Sequence, residues 1–348
     1  MTRDTSQPVL GWDIGGVNTK AALVERHGIP AAQSLSTPYQ IQRDPTELPS
    51  VLRALADELG HQEGWPHAIT MTAELSQAFR TKREGVAYVL SALARAFPGD
   101  PRHVYTVDGR FVTPAAAEAE PLAAGASNWV ATATLVGRFI PDGILIDIGT
   151  TSTDIIPLRG GRVAARGRTD PSRLLSRELV YTGAIRTPAE ALLAEVPLWD
   201  GCAAVSAEGF ATIGDAHIWL GRLASSDYTV PTPDGRPATR AFAGERLARV
   251  VCGDREMLDE GAIDGIALAL VEAQIALVAD GISRVRATCP AATTAVVTGL
   301  GDFIAAEAAR RAGLAVVELR ERLGDAARAA PAAAVAWLLA DELARGEG

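Results

Sequence analysis

Trp12-Asp13-Ile14-Gly15-Gly16-Val17-Asn18-Thr19-Lys20 returns 134 residues later as Ile146-Asp147-Ile148-Gly149-Thr150-Thr151-Ser152-Thr153-Asp154. Each copy follows an apolar run, residues 9–14 and 143–148, that reads as a short strand. Each turns on Gly15-Gly16 or Gly149 and leaves through a second strand, residues 20–25 and 154–158. The pattern predicts two hairpins with glycine- and hydroxyl-rich tips. A repeat of this size predicts two similar lobes, one tip from each facing a shared cleft.

The tips have the chemistry of phosphate holders. Without a Cβ, Gly15, Gly16 and Gly149 let backbone N–H groups approach phosphate oxygens. Asn18, Thr19, Thr150, Thr151, Ser152 and Thr153 add side-chain donors, and Lys20 adds charge. Asp13 and Asp147, at the strand ends, are expected to orient hydrated Mg²⁺. A third element, Thr298-Gly299-Leu300-Gly301, follows the apolar strand 294–297 and places Gly299 and Gly301 at a strand-to-helix turn. No Walker A loop is present, nor a dinucleotide Gly-x-Gly-x-x-Gly after the first strand.

Between the repeats the chain reads as alternating helices and strands. Helices are expected over 45–60, 85–97, 122–136, 262–286, 302–312 and 331–344, and strands over 68–71, 103–107 and 315–319. Glu74 follows the strand 68–71, where active-site carboxylates often sit. Lys82, between Arg80 and Arg83, forms a basic cluster suited to a diphosphate. Arg166, Arg168 and Asp170 precede Tyr181-Thr182-Gly183-Ala184-Ile185-Arg186-Thr187-Pro188, a hydroxyl-rich turn. Asp215 and His217 follow; His217 lies in no metal-binding spacing and reads as structural.

Composition narrows the function. The net charge is -9 and the pI near 5.2, which disfavours nucleic acid as a partner. Cys202, Cys252 and Cys289 lie far apart and suggest neither disulfides nor zinc. The polar start, Met1-Thr2-Arg3-Asp4-Thr5-Ser6, lacks a signal-peptide core, and the sequence reads as having no run of about 18 apolar residues, so a cytoplasmic protein without a membrane span is expected. Only Lys20 and Lys82 are lysines among 33 basic residues, which marks both as positions where arginine does not serve.

Taken together, the paired Asp-Ile-Gly loops and the late Thr-Gly-Leu-Gly resemble the phosphate and adenosine motifs of the ASKHA (actin/sugar kinase/Hsp70-like) superfamily. With Thr70-Met71-Thr72-Ala73-Glu74-Leu75, Gly167-Arg168-Thr169-Asp170 and the Tyr181–Pro188 turn, the chain is similar to the hydantoinase A/oxoprolinase-like group over residues 8–345. Within that group it most resembles the condensing enzymes of methanofuran biosynthesis, a branch tied to tetrahydromethanopterin-linked one-carbon metabolism. The resemblance implies an α/β fold of two ribonuclease-H-like lobes, over 1–138 and 139–330, with a C-terminal helix, 331–348, packing back on the first. It implies a transferase that joins an aminomethyl-furanmethanol diphosphate to the phenol of a tyramine-type acceptor and releases pyrophosphate. Lys20, Glu74 and Asp154 are then the expected catalytic residues, with Glu74 or Asp154 as base. Lys82 joins the loops on the diphosphate, and Arg168, Tyr181, Thr182 and Asp215 face substrate. Mg²⁺ is expected; ATP is admissible but not required. The run Gly209-Phe210-Ala211-Thr212-Ile213-Gly214-Asp215 departs from the Thr/Ala-rich stretch of the branch, which leaves the acceptor open. Two further readings stay open: an ATP-dependent kinase or amidohydrolase of the same fold, and a nucleotide-binding protein without catalysis. Self-association is left open as well.

Overall fold

Residues 7–25 and 33–345 are described in the computed structural model, so the N-terminal Met1–Ser6 lies outside them. Two six-stranded sheets and one small hairpin carry the fold. The first sheet runs β3-β2-β1-β4-β5-β6, from β1 (Val9–Ile14), β2 (Asn18–Val24), β3 (Gln33–Pro38), β4 (His67–Met71), β5 (Arg102–Tyr105) and β6 (Phe111–Val112). β1 and β2 form the expected hairpin, with Asp13 opposite Lys20. β1 then pairs parallel with β4, and β4 parallel with β5. Parallel neighbours need crossovers, and the helices Leu48–Glu58 and Lys82–Ala96 provide them.

The second sheet repeats this plan. β7 (Gly143–Ile148), β8 (Thr153–Arg159), β10 (Leu179–Val180), β13 (Thr294–Gly299) and β14 (Ala315–Glu318) follow the order β10-β8-β7-β13-β14, with β9 (Arg162–Val163) on β8. The hairpin again leads the sheet. β11 (Glu195–Leu198) and β12 (Gly201–Ala204) form a separate antiparallel pair. The chain divides into two compact units: Met1–Leu145, Ile156–Ser172 and Val317–Gly348 in one, Ile146–Ile155 and Arg173–Val316 in the other.

Burial explains the placement of the elements. In the first unit Leu10, Trp12, Ile14, Leu52, Ile69 and Val89 build one core, and the alanine-rich helix Ala330–Arg345 packs on β1 and β2. In the second, the helix Glu260–Thr288 buries Ile263, Ile266, Leu270, Ile275 and Val278. By length and composition alone that helix could cross a membrane, contrary to the expectation that no such run exists. Its inward stripe is instead committed to the packing of its own unit.

The structure corrects one helix. Residues 122–136 do not form a single helix: Pro121–Ala124 is one turn, and a helix restarts at Asn128–Gly137. Between them Gly125 bridges to Met71 and the Ala126 N–H donates to the Met71 carbonyl at 3.0 Å. Ala126 takes a left-handed φ of 51°, and the Ser127 hydroxyl donates to the Tyr105 carbonyl at 2.9 Å. Pairing with the end of β4 therefore outweighs helical periodicity.

Under β1 lies a polar cluster that the sequence did not single out. His61, His67 and Asp100 bring ligand atoms within 4.8 Å of one another. Hydrogen bonding assigns it to structure rather than to a metal. The Trp12 indole N–H, a donor only, reaches His67 Nδ1 at 3.0 Å. That nitrogen must accept, so Nε2 carries the proton and donates to Asp100 Oδ2 at 3.1 Å. His61 Nε2 at 2.9 Å and the Gly64 N–H at 2.6 Å complete the carboxylate's donors.

The cluster has a pH signature. Burial pushes His67 below its ordinary value of 6.5, so its contribution to stability is complete above pH 6.5 and lost as pH falls below it. Asp100 is also buried, but its His67 and Gly64 donors outweigh that and hold it at about 2, so its contribution is lost only below pH 3.8. Urea unfolding of wild type should weaken between pH 6.5 and 5. His67→Phe should be less stable at pH 8 and flatter over that window; an unchanged slope would contradict the assignment.

Candidate functional site

The two hairpin tips close in the same way. Gly15 N–H donates to the Asn18 carbonyl at 3.0 Å, and Gly149 N–H to the Ser152 carbonyl at 3.0 Å. A third contact also repeats: Thr72 N–H donates to Ile14 O at 2.9 Å, and Gly301 N–H to Ile148 O at 2.9 Å. The loop after β4 and the loop after β13 thus occupy equivalent positions beside their hairpins. Gly299 approaches so closely that an added Cβ would lie 2.4 Å from Asp147 Oδ1, and its φ of +91° requires glycine.

Gly15, Gly16 and Asn18, and likewise Gly149, Thr150, Thr151 and Ser152, are half-buried and leave surface for a ligand. Thr19 and Thr153 depart from expectation. Both are fully buried within their strands. Thr153 donates instead to the Thr182 carbonyl at 2.7 Å. Asp13, 7% exposed at the end of β1, holds Lys20 Nζ at 3.7 Å.

The first unit carries a compact charged triad. Thr81 caps the helix Lys82–Ala96 by accepting from Glu84 N–H, which sets Lys82 on the first turn. Lys82 Nζ lies 2.6 Å from Asp170 Oδ2 and 3.4 Å from Glu74 Oε1. Glu74 is 2% exposed, and neither of its carboxyl oxygens has a hydrogen-bond partner. Burial raises it from 4.5 to about 7, with Lys82 opposing the rise only in part. Burial would lower Lys82, but Glu74 and Asp170 outweigh it and raise the ammonium. Arg83 does not join: its guanidinium donates to the Glu118 carbonyl at 3.2 Å. Arg168, expected at substrate, is exposed and ion-paired with Asp108.

In the second unit a buried glutamine braces the loop 149–152. Gln274 Nε2 donates to Thr182 Oγ1 at 3.0 Å and to the Gly183 carbonyl at 2.7 Å. Its Oε1 pairs with His217 Nε2 at 2.8 Å. Burial lowers His217 to about 4, so it is neutral and donates. The braced turn then bonds the loop: Ala184 N–H to Gly149 O at 2.9 Å, and Ile185 and Arg186 N–H to Thr150 O at 3.2 and 3.1 Å. A Cβ on Gly183 would fall 2.5 Å from Thr151 N. Gly183→Ala should therefore displace the loop, and because the clash is with backbone it should lower the melting temperature as well. In the folded variant the Kd for inorganic pyrophosphate should rise about tenfold or more; an unchanged Kd would show that the loop does not bind phosphate.

Two further expectations are corrected. Thr182 does not face substrate; it is fully buried between Gln274 and Thr187. Asp215 is also fully buried: it closes a capping box with Thr212 at the start of the helix Ile213–Trp219 and pairs with Arg246 Nη2 at 2.7 Å. Arg246 reaches Asp234 at 3.0 Å as well. Asp154 is held by the buried Arg173 at 2.6 Å. Tyr181, 60% exposed, does present its ring to solvent.

Residues 66–342 match the family model described as hydantoinase/oxoprolinase. The chain belongs to this family. A Methanocaldococcus jannaschii protein named (4-{4-[2-(gamma-L-glutamylamino)ethyl]phenoxymethyl}furan-2-yl)methanamine synthase is 34% identical over 337 residues, covering 96% of this chain and 98% of that one. A Methanococcus vannielii protein of the same name is 34% identical over 205 residues, 58% of this chain and 91% of its own. The nucleotide-free structure of an acetone carboxylase aligns with a TM-score of 0.60 at 12% identity, over 95% of this chain and 70% of that one. At that identity it bears on the fold alone, which is of the ASKHA type, as the duplicated hairpin sheets indicate.

Proposed function

We propose that this member of the hydantoinase/oxoprolinase family is a transferase that forms a phenoxymethyl ether on a furan, as the name of its archaeal relatives describes for them. Its donor is a furanylmethyl diphosphate and its acceptor the phenol of a tyramine-type amine. The carbon–oxygen bond to the diphosphate breaks, the phenol oxygen bonds to the freed methylene, and pyrophosphate leaves. The furan ring oxygen spreads the positive charge that develops on that methylene.

The observation that carries the reading is Glu74: a buried carboxyl, raised by burial to about 7, that lies 3.4 Å from the Lys82 ammonium. Such a group costs stability and is matched to accepting a proton near neutral pH. Lys82, with its side chain 22% exposed, is the outward member of the triad. It takes the phenol proton as it passes one of its own to Glu74, and Asp170 holds it in line. Asp154, committed to Arg173, is left to structure. Each half-buried tip, Gly15–Asn18 in the first unit and Gly149–Ser152 in the second, carries N–H and hydroxyl donors of the kind that phosphate oxygens accept. Asp147, a hard oxygen donor beside the second tip, is of the type that holds Mg²⁺, which when bound would offset the charge of the leaving group.

The test is product analysis. Purified protein, Mg²⁺, a furanylmethyl diphosphate and a tyramine-type phenol should give an ether of the summed mass less diphosphoric acid. Recovery of both reactants unchanged would refute the reading.

A further inference from the structure

We propose that Arg186 is the cation of this chain that grips the diphosphate at the second loop. The inference rests on the transferase reading above. Charge bookkeeping points to it first. Lys20 faces Asp13, Lys82 lies between Glu74 and Asp170, Arg168 pairs with Asp108, Arg173 with Asp154, and Arg246 with Asp215 and Asp234. A cation already neutralised by carboxylates has little field left for a polyanion. Arg186 is exposed and forms no ion pair with any described carboxylate.

Geometry points the same way. The Arg186 N–H donates to the Thr150 carbonyl at 3.1 Å, and its Nη1 reaches Thr151 Oγ1 at 3.5 Å. The side chain is thus tied by its own backbone to the loop whose hydroxyls would meet the phosphates. Behind it, Gln274 and Thr187 fix the turn, since Thr187 Oγ1 accepts from Gly183 N–H at 3.2 Å and lies 2.8 Å from Thr182 Oγ1. A guanidinium presents a planar fork of donors that suits two phosphate oxygens at once, with less ordering to do than a lysine. Held at this loop, it would neutralise charge that grows on the departing pyrophosphate and so favour bond breaking as well as binding.

Inorganic pyrophosphate with Mg²⁺ is the probe, titrated calorimetrically into the full chain alongside turnover of the furanylmethyl diphosphate. In Arg186→Met the pyrophosphate Kd should rise tenfold or more and kcat/KM for the donor should fall about 10²-fold. Arg186→Lys should recover part of both, and the phenol KM and the melting temperature should not move. Wild-type affinity in Arg186→Met would overturn the assignment and leave the transferase reading standing. A wild-type protein that neither binds pyrophosphate nor consumes the donor would sink both.

Discussion

Glu74→Gln should lower the rate of ether formation by about 10³-fold, the usual scale of a lost general base, while pyrophosphate still binds. The amide keeps the shape of the carboxyl between Lys82 and its buried surroundings but cannot take a proton. In wild type, kcat/KM should rise with pH and level off above about 7, because only ionised Glu74 accepts the proton. The stability profile should run the other way. A buried acid raised from 4.5 to about 7 favours the fold fully below pH 4.5, and that contribution is lost as pH rises through about 7. Glu74→Gln should remove this loss, so the variant gains melting temperature over wild type at pH 8.5 more than at pH 5. A variant that stays active with an unshifted pH profile would clear Glu74 of the role.

Arg246→Leu should destabilise the second unit by about 3–5 kcal/mol, because it strands a fully buried Asp215 without its partner. Removing the other charge should restore much of it. In Arg246→Leu combined with Asp215→Asn no buried ion is left unpaired, and the amide oxygen introduced there can still accept the cap hydrogen bond. Chemical denaturation of the two variants measures the difference directly. Equal losses in single and double variants would mean that Asp215 is not the partner that matters.

Much of this molecule was legible from two nonapeptides. Asp-Ile-Gly at 13–15 and 147–149 gave the hairpins and their duplication, since strand alternation and glycine turns are local properties. Glu74 was legible as a carboxylate after a strand end and Lys82 as part of a basic cluster, but their union with Asp170 was not, because Lys82 and Asp170 lie 88 residues apart. Asp215 shows the opposite failure. An aspartate in the first turn of a helix looks the same in sequence whether it meets substrate or closes a capping box and pairs with a buried arginine. Gln274 did leave a trace, a lone amide on the apolar stripe of Leu270, Val271, Ile275 and Val278. The edge strand β3 left none: its residues Gln33, Ser34, Ser36 and Thr37 carry no apolar alternation, and only β2 makes them a strand.

The central claim is tested most directly by a phosphorus NMR time course. Protein, Mg²⁺ and a furanylmethyl diphosphate are followed with and without a tyramine-type phenol, with ATP in a parallel tube. The account predicts pyrophosphate released only when the phenol is present and ATP left intact. An inert furanylmethyl diphosphate beside ATP decaying to ADP and phosphate would contradict it.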